Sequence, residues 1–127
     1  MISLAMALLL ADAQTDAQCS NAVTQADMTG CAVREFNAAD AAMNRQWKLT
    51  LAAMHNADRY PAQDGRPTYA NQLLAAQRAW LAYRDTHCVS AGYAARGGSM
   101  EPMLVAQCRA KLTRERTEQL KALIGNH

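Results

Sequence analysis

Cysteine offers the most chemistry in this chain, and four are present: Cys19, Cys31, Cys88 and Cys108. Such a set has three possible uses. A zinc site needs ligands at short, regular spacing; here no C-x-x-C pair occurs and the gaps are long and irregular. A thiolate nucleophile needs a base placed against it. His87 adjoins Cys88, but helix neighbours point about 100° apart and do not face each other. Two structural disulfides suit a small exported domain best, and four cysteines allow three pairings.

A second group is polar: Asp40, Asn44, Gln77, Arg84, Asp85 and Arg116. One use would be a ligand or catalytic cluster. The other is a structural network between helices, for example Arg84 or Arg116 on Asp40. Buried charges need partners, and helical bundles use such pairs to fix register, which favours the network. No Ser/His/Asp set, metal spacing or phosphate loop is present. His55 sits near a helix end and His127 is terminal, neither with a metal partner at i±4. The expectation is a non-enzymatic protein with no catalytic residue, metal or cofactor.

Helices must position these groups. Thr24-Gln25-Ala26-Asp27 resembles a capping box with Asp in place of Glu, and a helical pattern runs from there to about Asn56. Phe36, Ala39, Met43, Trp47, Leu51 and Met54 recur at steps of three and four, giving one apolar stripe. Asn56 to Pro67 is a connector, since Pro61, Asp64-Gly65 and Pro67 all oppose helix. Thr68 caps a second helix, Tyr69 to about Ala91, with Leu73, Gln77, Trp80, Arg84 and Cys88 on one side. Gly92 suits a left-handed cap. After a turn over Tyr93 to Ser99, Pro102 fits the first turn of a third helix. Leu104, Cys108, Leu112, Arg116, Leu120 and Leu123 mark its inner stripe, and Gly125 ends it. No stretch shows period-two alternation. The fold class is therefore all-α, a small antiparallel bundle of three main helices.

The turn between the second and third helices centres on Gly97-Gly98. Cys88 lies ten residues before Gly98 and Cys108 ten after. In an antiparallel hairpin those positions come level, within reach of a disulfide. Cys88–Cys108 then leaves Cys19–Cys31 to pin the N-terminal arm to the first helix.

Ile2 to Leu10 is apolar and too short to span a bilayer. Ala11-Asp12-Ala13 follows as an A-x-A cleavage site, so residues 1–13 read as a signal peptide and 14–127 as one helical domain, periplasmic or secreted. Asp16-Ala17-Gln18 before Cys19 lacks the residues a lipoprotein signal peptidase needs. Cleavage leaves 13 bases against 10 acids, a formal charge of +3. The bases are scattered among acids, without the basic tract nucleic acid needs, and no second apolar stretch is long enough to cross a membrane.

Several phrases carry a family resemblance: Met28-Thr29-Gly30-Cys31; Ala39-Asp40, Met43-Asn44 and Trp47; Gln77-x-x-Trp80-x-x-Tyr83-Arg84-Asp85-x-x-Cys88; Gly97-Gly98-Ser99; and Cys108, Leu112-Thr113, Arg116 and Leu120. From about Cys19 to Leu123 the chain resembles the LprI-type lysozyme inhibitors, small exported bacterial domains. Trp47 stands where an aromatic, often Tyr, is expected. The resemblance implies an all-helical disulfide-bonded fold and a protein partner, possibly lysozyme. The matching residues are framework positions, so the binding surface is sought in loops, where recognition usually sits. The hairpin tip, Arg96, Gly97, Gly98, Ser99 and Glu101, is the first candidate; the connector, with Asp58, Arg59, Tyr60, Asp64 and Arg66, is the second. One expected function is occlusion of a lysozyme cleft by the tip. The alternative is an envelope structural or interaction module without lysozyme inhibition. Animal-type lysozymes are strongly basic, so a positive chain gains nothing from long-range steering toward them.

Overall fold

Each of the first two helices starts on a threonine. The computed structural model describes residues 19–125; the signal peptide expected over residues 1–13 and the terminal His127 lie outside them. Helix α1 spans Gln25–Ala57, with the Thr24 hydroxyl accepting from the Asp27 N–H at 3.1 Å. Helix α2 spans Tyr69–Gly92, with Thr68 accepting from the Asn71 N–H at 3.2 Å. Helix α3 spans Glu101–Ile124 and carries Pro102 in its first turn. Among the described residues there is no strand, and no helix is long and apolar enough to cross a membrane.

The chain runs up, down and up. Thr50 of α1 meets Leu120 of α3, and Gln25 meets Met103, so α1 and α3 are parallel. Gln77 of α2 reaches Met43, and Arg84 reaches Asp40, so α2 opposes both. The hairpin tip thus shares one end of the bundle with the start of α1, and the connector forms the other end.

The disulfides are Cys19–Cys31 and Cys88–Cys108, with Cα separations of 5.2 and 5.4 Å. By loop-length reasoning each stabilises by roughly 3 kcal/mol.

Two features differ from expectation. Gly92 is not a left-handed cap: its φ is −65° and the chain continues into a short 3₁₀ turn at Tyr93–Ala95. Gly92 is buried because α2 approaches α3 there; a Cβ would meet Val105 Cγ2 at 2.6 Å. The left-handed residue is Gly97, at φ +79°. The inner line of α3 is also offset from the expected stripe. The buried residues are Met103, Ala106, Ala110, Thr113, Thr117 and Leu120, alternating by three and four, while Leu104, Cys108, Leu112, Arg116 and Leu123 are half-buried. Small side chains let α3 lie close to α1, where buried Ala32 packs with Met103 and Ala106.

The core has two apolar parts. One joins Met43, Met54, Ala70, Leu73 and Leu120, flanked by Trp47, Leu51, Trp80 and Leu123. The other joins Ala32, Met103 and Ala106 at the tip end. Between them along α1 lies a polar layer.

Candidate functional site

Arg84 is the centre of that layer. Its side chain is 9 % exposed. Nη1 donates to Asp40 Oδ1 at 3.4 Å and to the Thr113 hydroxyl at 3.3 Å, and Nε donates to Asp85 Oδ1 at 3.1 Å. The guanidinium also lies over the rings of Phe36 and Trp80 at 5.1 and 5.3 Å. Asn44 donates to Asp40 at 3.5 Å. Sequence reasoning missed Arg109, whose Nε is 3.5 Å from Asp85 yet buried without a hydrogen bond.

Arg116 does not join Asp40. It pairs instead with Gln77, whose Oε1 accepts from Nε at 2.8 Å, and with Gln119 through Nη1 at 3.1 Å. Gln77 is seven residues from Arg84 on α2, roughly two turns or about 10 Å along the helix, and the Trp80 ring lies against both guanidiniums, at 5.3 Å from Arg84 and 5.9 Å from Arg116. The six polar residues therefore form two groups: Arg84 with Asp40, Asn44 and Asp85, and Arg116 with Gln77. Three further buried polar residues, Gln46, Thr50 and Thr117, also escaped the sequence reading; Thr50 is fully buried and donates to the Leu120 carbonyl at 2.9 Å. The signal for Thr113 and Thr117 was the three-four alternation through Met103, Ala106 and Ala110.

At the hairpin tip, Arg96, Gly97, Gly98 and Ser99 are exposed and Glu101 is half-buried. The turn is hydrogen-bonded: the Gly98 N–H donates to the Ala95 carbonyl at 2.8 Å and the Arg96 N–H to Tyr93 at 3.1 Å. The Arg96 guanidinium stacks 4.5 Å from the Tyr93 ring centroid. Stacking holds its plane while leaving its N–H edges free for a planar acceptor. Beside the tip, a groove of about 610 Å³ has walls from Val33 and Phe36 of α1, Val89 of α2 and Tyr93 of the 3₁₀ turn, over Val105 and Arg109 of α3. Tyr93 and Glu101 belong to both features. No single helix carries this groove, so no one stretch of sequence announces it.

The connector is built rather than loose. Asp58 at the C-cap of α1 donates its backbone N–H to the Met54 carbonyl, and its carboxylate accepts from the Tyr69 and Ala70 N–H groups at 2.8 and 3.0 Å, so one residue ends α1 and caps the start of α2. Side-chain and backbone donation from Arg66 holds the Asp64 carboxyl below its ordinary value. His87 stacks on Tyr83 at 5.2 Å, and Cys88 is committed to its disulfide, so that pair holds no thiolate. Cys19, Cys31 and Glu35 bring their donor atoms within 4.8 Å of one another. Both sulfurs are bonded to each other, however, and a metal requires thiolates.

The molecule is a small disulfide-bonded helical bundle with a polar layer inside and an exposed arginine, Arg96, at its tip. The chain matches the profile of the family described as lysozyme inhibitor LprI over residues 15–120, and it belongs to that family. It is also 48 % identical over 114 residues to an uncharacterized protein of Rhizobium meliloti (strain 1021), across 87 % of this chain and 81 % of that one. No solved structure is significantly similar.

Proposed function

We propose that the protein is exported to the periplasm or medium and inhibits a lysozyme by placing the hairpin tip in its cleft. Family membership over most of the chain carries this reading. Lysozymes cleave between two carboxyl groups. Arg96, oriented on Tyr93, supplies a forked donor for a carboxylate, Ser99 supplies a hydroxyl, and Gly97 and Gly98 allow close backbone approach. The two disulfides accord with an oxidising compartment.

The test is lysozyme turnover with the purified oxidised protein. Inhibition is expected, and Arg96→Ala with Ser99→Ala should raise the inhibition constant at least tenfold, about 1.4 kcal/mol, with an unchanged melt. A double variant that inhibits as well as the parent moves the contact to the connector, Asn56 to Pro67. The +3 formal charge after signal cleavage favours a second reading, an envelope interaction module without inhibition. A parent that leaves lysozyme turnover untouched selects it.

A further inference from the structure

Arg116 is set apart from the other inward-facing arginines by its partners, which are neutral among the described residues. Arg84 and Arg109, also drawn into the bundle, share Asp85. Among the described residues Arg116 forms no ion pair with a carboxylate; Gln77 and Gln119, its hydrogen-bond partners, are neutral amides. Its Nη2 is buried and has no hydrogen-bond partner. Partial burial pushes the guanidinium below its ordinary value; the Trp80 ring lies under it at 5.9 Å, but among the described residues no carboxylate pairs with it.

Next to this cation is a cavity of about 300 Å³. Leu73 and Ala76 of α2, Leu123 of α3 and Met54 of α1 line it, with Tyr69 and Gln72 at the connector end. Sites of roughly 300 Å³ are at the lower end of the range for small molecules. Apolar walls select a hydrocarbon, and the uncompensated guanidinium selects an anion. One molecule that supplies both is a hydrocarbon chain ending in a carboxylate.

We propose that this cavity binds a single-chain aliphatic carboxylate, its head on Arg116 and its tail along Met54, Leu73 and Leu123. A short anion such as acetate has no use for the apolar walls, and a neutral alcohol leaves the guanidinium uncompensated. The inference is independent of any lysozyme contact, which is placed at the opposite end of the bundle.

The experiment is a titration of the oxidised full chain with sodium decanoate below its micelle-forming concentration, followed by calorimetry and tryptophan emission. Trp80, 5.9 Å beneath Arg116, and Trp47, packed on the same core, are the reporters. Saturable one-site binding is expected, with decanol and acetate each at least tenfold weaker. Arg116→Gln should weaken decanoate at least tenfold. Ala76→Phe, at an exposed position lining the cavity, should block it with the arginine intact, and it decides the matter alone if Arg116→Gln does not fold. Absence of saturable binding overturns the proposal. So does decanol binding as tightly as decanoate, or decanoate binding that Ala76→Phe leaves unchanged.

Discussion

Arg84 is nine-tenths buried, but its acids are not: the side chains of Asp40 and Asp85 are 38 % and 48 % exposed. Removing the arginine leaves carboxylates that water can reach, so the ~3–5 kcal/mol of a stranded buried charge does not apply. What goes is the hydrogen bond to the fully buried Thr113 and the packing on Phe36 and Trp80. Arg84→Ala should cost about 2 kcal/mol, read as a lower urea midpoint, and leave partner binding intact. An unchanged melt with lost binding would make the layer a site. Thr50 is the stricter case. It donates to the Leu120 carbonyl and accepts from Gln46 Nε2 at 3.2 Å, and both bonds are buried. Thr50→Val takes the acceptor from the Gln46 amide and the side-chain donor from the Leu120 carbonyl, and should cost about 1–3 kcal/mol. Asp64 illustrates the pH sign. Its lowered value means its contribution is complete above the unfolded carboxyl value and fades as pH falls through the folded one, a window below about pH 4. Arg66→Ala removes the larger, side-chain donation but leaves the backbone N–H of that residue on the carboxylate, so the Asp64 titration, followed by NMR, should move part of the way back toward its ordinary midpoint.

At the scale of elements, the contact between α2 and α3 turns on Gly92. Gly92→Ala would gain up to about 1 kcal/mol of helix propensity. The added methyl, however, would enter the Val105 side chain, and overpacking of that kind costs about 1–3 kcal/mol. The variant should be less stable than the parent, and Val105→Ala in the same chain should recover part of the loss. Additive effects in that double-mutant cycle would refute the contact. The same helices show where sequence reasoning succeeded and where it did not. Both threonine caps, the turn signals and the level cysteines of the hairpin are local, so they were legible. The buried face of α3 is offset by one residue from the expected stripe at Leu112 and Arg116, because two threonines, not leucine, hold the inner line there. Thr113 and Thr117 face inward because their hydroxyls find partners: Thr113 accepts from Arg84, and Thr117 donates to the Thr113 carbonyl. The groove beside the tip and the Arg116 cavity each draw on three helices, so they exist only once the bundle is assembled.

Across the whole molecule, the two ends are held by different means. Cys19–Cys31 and Cys88–Cys108 both sit toward the end that carries the hairpin tip, where the apolar cluster is only Ala32, Met103 and Ala106 with Met28 and Leu104 packed on it. The connector end has no disulfide among the described residues. It relies on Asp58 bridging α1 and α2 and on the larger cluster around Met43, Leu73 and Leu120. Reduction should therefore loosen the molecule unevenly. Local opening follows the weakest packing, and regions with few buried apolar contacts exchange first. Amide exchange in the reduced protein should accelerate over residues 25–35 and 88–108, while residues 43–54 and 113–120 keep most of their protection. The polar layer at Arg84 marks the boundary, because its hydrogen bonds cross all three helices. Equal acceleration at both ends would show one cooperative unit and contradict this division. If it is upheld, a reductant should remove tip-dependent binding at concentrations that leave decanoate binding at Arg116 in place, since the two sites would lose order separately.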